Sequence, residues 1–342
     1  MKATIWDVAR EAGVSIASVS NALTGKKKVS DETKRKIDEA VTRLGYTADP
    51  AASSLKTRSS HIIGLIVPSI DSAFFPAVIS GLQAILEENG YIINFYSTGF
   101  NEKVEQKYID TLLSSRADGI ILDSVSLDRG FLESMASLGS SKKHVPVVAL
   151  ERDLTDCGLT SVFADNYRGG RLAATHLAAC GVKRPAHIYG LTDAPWSAER
   201  LDGFRDGLAE AGINLTDEYI RGGDFTIQGG ALAAHSLLSE GREPDGIFAS
   251  NDLSAAGAMQ SLSEFGRRIP DDTALIGFDN TYVTSLTTPT ISTINVPKQR
   301  LGEEAGKAVL DLIEHGGGIE KIELPVTLIE RESTKGRLRR EI

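Results

Sequence analysis

Apolar residues recur at the spacing of an α-helix over residues 4–23 (TIWDVAREAGVSIASVSNAL), and they predict two short helices joined by one turn. The apolar stripe of the first helix consists of Ile5, Val8, Ala9 and Ala12. The buried side of the second helix is predicted to consist of Val19, Ala22 and Leu23. Gly13 stands between the two helices, where glycine accepts the positive φ of a sharp turn without steric cost.

Capping residues mark the start of both helices. Thr4 and Asp7 have the spacing of a capping box, and Ser15 is a second N-cap. The exposed start and flank of the second helix then carry Ile16, Ala17, Ser20 and Asn21. This arrangement is typical of a helix-turn-helix, whose second helix offers its N-terminal residues to base edges in the major groove. The alternative is an αα-hairpin of a small helical domain.

A third helix is predicted from Ser30, an N-cap followed by two carboxylates, to Gly45. Its apolar face consists of Ile37, Ala40, Val41 and Leu44. This face closes a three-helix core, so residues 1–46 are predicted to form one small domain. Residues 47–60 are small and polar apart from the isolated Leu55, which is the composition of a hinge or linker.

From Ile62 onward, apolar β-branched runs alternate with amphipathic stretches of helix length. Strands are predicted at 62–67, 91–97, 118–122, 145–150, 160–164, 185–190, 245–250 and 273–278. Helices are predicted at 76–90, 102–116, 167–181, 198–212, 228–240 and 253–266. Such alternation is typical of parallel sheets buried on both faces. Because these strands are too many for one open sheet, we expect two similar α/β lobes with a cleft between them.

Charge is unevenly distributed along the 342 residues. Residues 1–60 carry 11 Lys and Arg against 7 Asp and Glu, a net charge of +4. The rest of the chain carries 26 against 39, a net charge of −13, which restores the total of −9. A basic head on an acidic body indicates that only the head meets a polyanion, although a solvated basic face has the same composition.

Candidate chemistry adds little to this interpretation. The two cysteines, Cys157 and Cys180, match no metal spacing, and the six histidines are scattered. No nucleophile elbow, Walker loop or dinucleotide fingerprint follows a predicted strand. We therefore expect no enzyme, no metal and no cofactor. The N-terminus has no apolar signal region and no run is long enough to span a membrane, so a cytoplasmic protein is expected, associated with the nucleoid when bound to DNA.

Several longer segments resemble the LacI/GalR family of bacterial repressors. In the head and hinge these segments are TIWDVAREAGVSIASVSNAL and VSDETKRKIDEAVTRLGYTADPAASSLK. In the body they are SHIIGLIVPSIDSAFFPAVISGLQ, DNYRGGRLAATHLAACG, ERLDGFRDGL, FASNDLSAAGAM, IGFDN and TPTISTINVPKQRLGEEA. The resemblance covers essentially the whole chain. It implies an all-α helix-turn-helix head with a hinge, followed by an α/β, two-lobe body with parallel sheets that is similar to a periplasmic binding protein.

The resemblance also implies the organisation of the body, residues 61–342, as an effector-binding and dimerisation domain. The first lobe is expected at about 61–160 and 291–325, and the second at about 161–290 and 326–342. The implied function is a ligand-responsive repressor that binds double-stranded, pseudo-palindromic operator DNA as a homodimer. A sugar or sugar derivative is the expected effector. A nucleobase acting as co-repressor is the second candidate, and a solute-binding protein without a regulatory role is an alternative of another class.

By this resemblance, the second helix enters the major groove and its sequence-reading positions are Ile16, Ala17 and Asn21. An Ile-Ala pair makes only apolar contacts with bases, whereas asparagine can bond adenine through two hydrogen bonds. Many relatives carry arginine where Asn21 stands, so no standard operator sequence is implied. The phosphate contacts are expected from Thr4, Ser15, Ser18 and Ser20. In relatives, the hinge leucine that matches Leu55 wedges between base steps in the minor groove. The structural alternative for Leu55 is an apolar residue that docks on the body.

The positions that match the effector pocket of the family are Asp71, Phe74, Trp196, Arg200, Phe225, Asn251 and Asp279. Carboxylate, amide and guanidinium groups bind vicinal hydroxyls, and aromatic rings cover the apolar face of a sugar. Several positions have a structural alternative: Asp279 as a turn residue, Arg200 on a helix surface, and the phenylalanines in the core. Asp71 and Trp196 lie where loop length varies among relatives. The effector, the operator sequence, the target genes and the choice between induction and co-repression do not follow from the sequence.

Overall fold

The chain divides at Ser60 into a head, and a body that begins at His61. The computed structural model describes residues 3–24, 27–46, 59–124, 127–137, 145–191 and 194–336. The predicted hinge residue Leu55 lies outside these described residues.

Three helices build the head: α1 (Ile5–Ala12), α2 (Ile16–Thr24) and α3 (Asp31–Leu44). The predicted capping box is confirmed, because the Asp7 amide donates to Thr4 Oγ1 and the Thr4 amide donates to Asp7 Oδ2. The predicted turn at Gly13 is confirmed by its φ of 63°, and Gly45, at the predicted end of the third helix, has a φ of 56°. These caps end the helices at the residues where the chain has to reverse.

The core of the head consists of Val8, Ala9, Val19, Ile37 and Ala40. Ala22 packs against this core, as predicted. Leu23 is 39% exposed and takes no part in it, so the prediction that Leu23 is buried is wrong. The reason is that Val19 and Ala22 occupy the side of α2 that faces this small core, and Leu23 lies beside them toward solvent.

The first lobe of the body is a parallel sheet with the strand order β11-β5-β4-β3-β1-β2. Its strands are β1 (Ile62–Val67), β2 (Ile92–Ser97), β3 (Gly119–Leu122), β4 (Val147–Leu150), β5 (Thr160–Ala164) and β11 (Lys321–Leu324). Its helices are α4 (Phe75–Glu88), α5 (Glu102–Ser114), α6 (Arg129–Ser137) and α12 (Lys298–His315). Four of its strands are fully buried apolar runs or nearly so, because helices cover both faces of the sheet.

The second lobe repeats this design with the strand order β12-β10-β9-β8-β6-β7. Its strands are β6 (Pro185–Tyr189), β7 (Ile220–Gly222), β8 (Gly246–Ala249), β9 (Ala274–Asp279), β10 (Ser292–Asn295) and β12 (Thr327–Ile329). Its helices are α7 (Asn166–Ala179), α8 (Pro195–Glu210), α9 (Ile227–Ser239), α10 (Asp252–Glu264) and α11 (Val283–Leu286). The edge strand β12 runs antiparallel to β10, which departs from the expected all-parallel sheets.

The chain crosses between the lobes three times: after β5, after β10 and between β11 and β12. Two expected lobe boundaries are therefore placed too early. The first lobe continues to Ala164, because β5 pairs with β4, and the second continues to Asn295, because β10 pairs with β9. In each case the chain leaves the lobe only after the last residue of the paired strand.

Pairs of glycines bring neighbouring helices of the body into backbone contact. A Cβ on Gly203 of α8 would lie against the carbonyl oxygen of Tyr167 in α7, and one on Gly170 against that of Arg200. Similar reciprocal pairs join α4 to α12 and α9 to α10, through Gly81 with Gly302 and Gly230 with Gly257. Glycine is disfavoured inside helices, so its recurrence at these crossings indicates that close packing needs it.

Candidate functional site

The first turn of α2 carries the polar groups that were predicted to face DNA. Ser15 caps this helix, because its Oγ accepts a hydrogen bond from the Ser18 amide at 3.1 Å. The hydroxyls of Ser15 and Ser18 lie 2.9 Å apart, while Ser20 and Asn21 are half-buried on the same helix. These polar side chains are short, so a binding partner has to approach the backbone of α2 closely to reach them.

The two apolar positions of this surface differ in exposure. Ala17 is exposed, whereas Ile16 is half-buried and packs against the core of the head. Thr4 is exposed, and its hydroxyl donates to Asp7 Oδ2 at 2.6 Å within the capping box. Sequence reasoning missed Trp6 of α1, whose side chain is 66% exposed and whose indole N–H is a hydrogen-bond donor. Its signal was an aromatic residue outside the apolar stripe of α1.

A cleft of about 450 Å³ lies between the two lobes of the body. All seven predicted effector positions line it: Asp71, Phe74, Trp196, Arg200, Phe225, Asn251 and Asp279. The cleft is bordered by segments that follow the carboxyl ends of strands in both sheets, the usual position for ligands in open α/β sheets. The volume is that of a small-molecule site.

Arg200 is the cation of this cleft and is only 3% exposed. Its Nε donates to Asn166 Oδ1 at 2.9 Å, and its Nη1 donates to the Ser250 carbonyl at 2.5 Å. The guanidinium carbon lies 3.7 Å from the centre of the Phe278 ring, within cation–π distance. Arg200 is therefore a fixed part of the second-lobe wall and not a residue of the helix surface.

Asp279 faces Arg200, with 3.7 Å between its Oδ1 and the arginine Nη2. Burial raises the pKa of Asp279, and the charges of Arg200 and Lys298 oppose this effect. The Lys298 ammonium donates to the backbone carbonyls of Asp279 and Asn280 from behind the cleft wall. The turn interpretation of Asp279 is partly right, because its φ is 97°, but its side chain lines the cleft.

Asn251 joins two elements of the second lobe. Its Oδ1 accepts from the Ser254 amide at 2.8 Å as the N-cap of α10, and its Nδ2 donates to the Phe225 carbonyl at 2.9 Å. The Phe225 ring fits only because residue 190 is glycine, since a Cβ there would overlap the ring. The asparagine thus positions the loop that carries one of the aromatic walls.

The other aromatic walls are Phe74 and Trp196, which are buried at 7% and 8% exposure. Phe74 packs edge to face on Phe75 and also lines the cleft. The ring is therefore both a core residue and part of the cleft wall. Asp71 is exposed at the rim. The described walls of the cleft thus combine apolar rings with a few polar groups, which is typical of binding sites for small molecules.

Sequence reasoning missed two buried carboxyl groups in the cleft, Asp123 and Glu151. Burial and the nearby carboxyls of Glu151 and Glu105 raise the pKa of Asp123 well above its usual value. Burial also raises the pKa of Glu151 to about 7, although Arg200 acts in the opposite direction. Each carboxyl comes directly after a buried strand, and this position in the sequence could have indicated a place in the cleft.

Two family models match this chain. One, described as "Bacterial regulatory proteins, lacI family", matches residues 4–49. The other, described as "Periplasmic binding proteins and sugar binding domain of LacI family", matches residues 60–332. The chain belongs to the LacI family.

Individual members of the LacI family are similar over the whole chain. The HTH-type transcriptional repressor PurR of Edwardsiella ictaluri is 32% identical over 97% of this chain and 96% of its own length. The Ribose operon repressor of Halalkalibacterium halodurans is 32% identical, with 97% of each chain covered. The structure of the Lac repressor dimer bound to operator and the anti-inducer ONPF matches with a TM-score of 0.86 and 26% identity, over 98% of this chain and 99% of that one.

Membership of the LacI family makes this protein a transcriptional repressor with a helix-turn-helix head and a ligand-binding body. Its relatives are repressors and not enzymes, in agreement with the prediction from motifs. Over the part of the chain that the structure describes, no helix combines the length and apolarity needed to cross a membrane. Within the same residues, no group of three or more His, Cys, Asp or Glu side chains is arranged to hold a metal ion.

Proposed function

We propose that this protein represses transcription as a homodimer on a pseudo-palindromic operator and responds to a sugar or sugar derivative bound in the cleft. The observation that carries the proposal is the convergence of all seven predicted effector positions on one cleft. Buried donors and acceptors combined with three aromatic walls suit a polyol, because the polar groups bond hydroxyls while the rings cover the apolar face.

In this proposal α2 lies in the major groove, and Ile16, Ala17 and Asn21 read bases. Ala17 and the outer part of Ile16 would make apolar contacts, for instance with a thymine methyl, and Asn21 would supply the hydrogen bonds. The hydroxyls of Thr4, Ser15, Ser18 and Ser20 would contact phosphates. With so few strong base readers, much of the affinity would come from phosphates, from dimer symmetry and from a hinge wedge at Leu55.

Ligand binding would act on DNA through the body. Closing the cleft changes the relation of the two lobes, and the resulting coupling free energy favours one state of the hinges over the other. Lac repressor supports the dimeric assembly, since its structure is a dimer on operator. The protein would act in the cytoplasm and would be associated with the nucleoid when bound.

A nucleobase is the second candidate for the effector. Similarity to PurR at 32% identity supports it, and the rings of Phe74, Trp196 and Phe225 would stack on a planar base as well as on a sugar. The similarity to the Ribose operon repressor has the same identity and supports a sugar, so the two relatives do not decide between these classes.

A thermal-shift screen of the full chain with sugars, sugar phosphates and nucleobases tests the effector class. A cleft ligand at a hundred times its Kd stabilises the protein by about 2.7 kcal/mol, which is readily measured. The response should be lost in Asn251→Ala and retained in Asp202→Asn, an exposed position on α8 outside the cleft. Stabilisation by purines with no response to any polyol would contradict the sugar effector and favour a nucleobase.

Operator binding is tested by selecting sites for the full chain from random duplex DNA. We expect a pseudo-palindromic consensus, bound with an affinity that falls steeply as salt rises because counterions are released from the phosphates. The ligand found in the screen should change this affinity. Selection of no consensus at all would contradict the repressor proposal independently of the effector.

A further inference from the structure

Asp123 and Glu151 form a pair of buried carboxyl groups on the first-lobe wall of the cleft. They follow the adjacent parallel strands β3 and β4, in which Leu122 lies opposite Ala149, so both side chains leave the same edge of the sheet. Asp123 is 4% exposed and Glu151 is 6% exposed, and both line the cleft. We call these two residues the acidic pair.

Each member of the acidic pair has a buried oxygen that accepts no hydrogen bond: Oδ1 of Asp123 and Oε1 of Glu151. Glu151 accepts one bond, from the Ala164 amide. A buried acceptor without a donor is destabilising, and native proteins keep very few of them. Two such oxygens in the wall of one cleft indicate a bound molecule that brings donors to them.

The backbone is strained where it presents this wall. Glu151 has a φ of 58°, in the left-handed region that is unfavourable for a residue with a side chain. Other non-glycine residues that line the cleft with positive φ are Phe100, Asp224, Phe225 and Asp279. Strain of this kind persists where the surrounding structure holds it for function, so the direction of the Glu151 carboxyl serves the cleft.

The charge of the cleft excludes a strongly anionic ligand. Its described lining carries one guanidinium, Arg200, against five carboxyl groups: Asp71, Asp123, Glu151, Asp224 and Asp279. Arg200 already donates to Asn166 and Ser250 and faces Asp279. The Lys298 ammonium is engaged by backbone carbonyls behind the wall. A phosphate would therefore find one guanidinium that is already engaged and no second cation in the described lining.

An organic cation meets the needs of the acidic pair better than a metal or a neutral hydroxyl. No group of three or more metal-ligating side chains occurs among the residues that the structure describes, so a metal cage is not present there. An ammonium group carries three donors and no acceptor, which matches oxygens that lack donors. Charge-assisted hydrogen bonds are also roughly twice as strong as neutral ones.

We propose that the acidic pair is an ammonium subsite and that the effector is an amine-bearing polyol of the amino-sugar class. This inference rests on the proposed effector role of the cleft and deepens it. The amine would lie against Asp123 and Glu151 of the first lobe, and the hydroxyls would face Arg200, Asn251 and Asp279 of the second. A ligand of this kind bridges the lobes and so favours the closed cleft.

Binding of such a cation is linked to proton release. In the empty cleft, burial raises the pKa of both carboxyls, that of Glu151 to about 7, so each stays protonated to a higher pH than an exposed carboxyl does. An ammonium group favours their charged forms, and the protons leave as it binds. The other charged groups that act on Glu151 are Arg200, Asp279 and Glu199, and Glu105 acts on Asp123. A neutral sugar requires no such ionisation.

Matched ligands test the proposal on the wild-type full chain. Titration calorimetry and thermal shift would compare glucose, galactose and mannose with their 2-amino-2-deoxy forms and their 6-phosphates at pH 6.5. We expect one amino sugar to bind at least tenfold more tightly than its neutral partner, and its phosphate to bind least. In buffers of different ionisation enthalpy, the amino sugar should release protons and the neutral sugar should not.

Two conservative variants then assign the subsite. Asp123→Asn and Glu151→Gln should each weaken binding of the amino sugar at least tenfold and lower the proton release, whereas the matched change Asp202→Asn outside the cleft should do neither. Unchanged affinity and proton release in both variants would overturn the assignment of the pair. If either variant fails to fold, the wild-type comparison of matched sugars decides.

The outcomes also separate this inference from the proposed function. A neutral or phosphorylated sugar that binds as tightly as the amino form overturns the ammonium subsite and leaves the sugar-responsive repressor in place. Binding of no sugar of any form, with operator DNA still selected, removes the sugar effector and the amine subsite together. Amine binding that does not change operator affinity keeps the subsite and contradicts the regulatory role of the cleft.

Discussion

At the scale of single residues, Glu151 is an example of a group placed for binding at the expense of stability. Its carboxyl is buried, one of its oxygens lacks a donor and its backbone is in the left-handed region. The unfolded chain keeps this carboxyl in water, where it ionises with an ordinary pKa. The folded protein without ligand therefore holds it in a protonated form up to about pH 7.

Glu151→Gln should remove the contribution of this carboxyl to the pH dependence of the free energy of unfolding. The raised pKa means that the folded state binds the proton more strongly, so the contribution of Glu151 to stability is complete below about pH 4.5 and is lost as pH rises to about 7. A shift from 4.5 to about 7 corresponds to about 3 kcal/mol. We expect the ligand-free variant to gain about that much relative to wild type between pH 4.5 and pH 8.

Urea unfolding at the two pH values measures this difference, with Glu88→Gln on the exposed face of α4 as the matched control. The control should follow the wild type at both pH values. An equal difference between Glu151→Gln and wild type at acid and alkaline pH would show that the carboxyl titrates normally in the folded protein.

The residues of the cleft were only partly predictable from the sequence. Arg200, Asn251 and Asp279 lie in motifs that resemble the family, and the structure brings them to one wall. Asp123 and Glu151 are lone carboxyls after apolar strands, and nothing local reveals that β3 and β4 are neighbours. Strand order depends on contacts between distant parts of the chain, so this pairing appears only in the folded structure.

At the scale of elements, the helix contacts of the body depend on glycines that occur in reciprocal pairs. Gly170 and Gly203 allow α7 and α8 to touch along their backbones, and the other two helix pairs use the same device. The apolar periodicity located these helices to within a few residues, for example 167–181 against Asn166–Ala179 for α7. The periodicity did not indicate which helices pack together. A glycine inside a helix indicates a close approach, but the sequence does not show which helix approaches it.

Gly203→Ala should lower the free energy of unfolding by about 2 kcal/mol, because the added methyl meets the Tyr167 carbonyl, a backbone group that has little room to move. The higher helix propensity of alanine offsets only part of this cost. Gly318→Ala is the control, since its Cβ would lie in open space and should change stability by less than about 0.5 kcal/mol. Equal effects of the two substitutions in urea unfolding would contradict the packing role of Gly203.

At the scale of the whole molecule, the proposed switch joins an effector cleft in the body to a DNA-reading head. The segment proposed as a hinge carries one large apolar residue, Leu55, among small and polar ones. A helix of about seven residues does not persist alone in water, so it would form only with its symmetry mate and DNA. This dependence would make folding of the hinge the step that the body controls.

Leu55→Ala should weaken operator binding well over tenfold, because it removes the side chain proposed to wedge between base steps. Effector binding should be unchanged. Fluorescence anisotropy with the selected operator measures the first quantity, and titration calorimetry measures the second. Ser54→Ala in the same segment is the control and should keep wild-type affinity. Similar operator affinity in Leu55→Ala and wild type would contradict the wedge.

The three crossings between the lobes also determine when the protein is completed during synthesis. The edge strands β11 and β12 are the last elements of the two sheets, so the first sheet lacks its sixth strand until Leu324 is made, and the second until Ile329. The head is a compact unit of its own that ends at Ser60. Translation of the 269 residues from Ser60 to Ile329 takes on the order of tens of seconds at about 5–20 residues per second. Each nascent chain therefore carries a complete head during that interval, before the two sheets of the body have received their last strands. A frameshift upstream of Lys321 would remove β11 and β12 and leave an unpaired edge on each sheet.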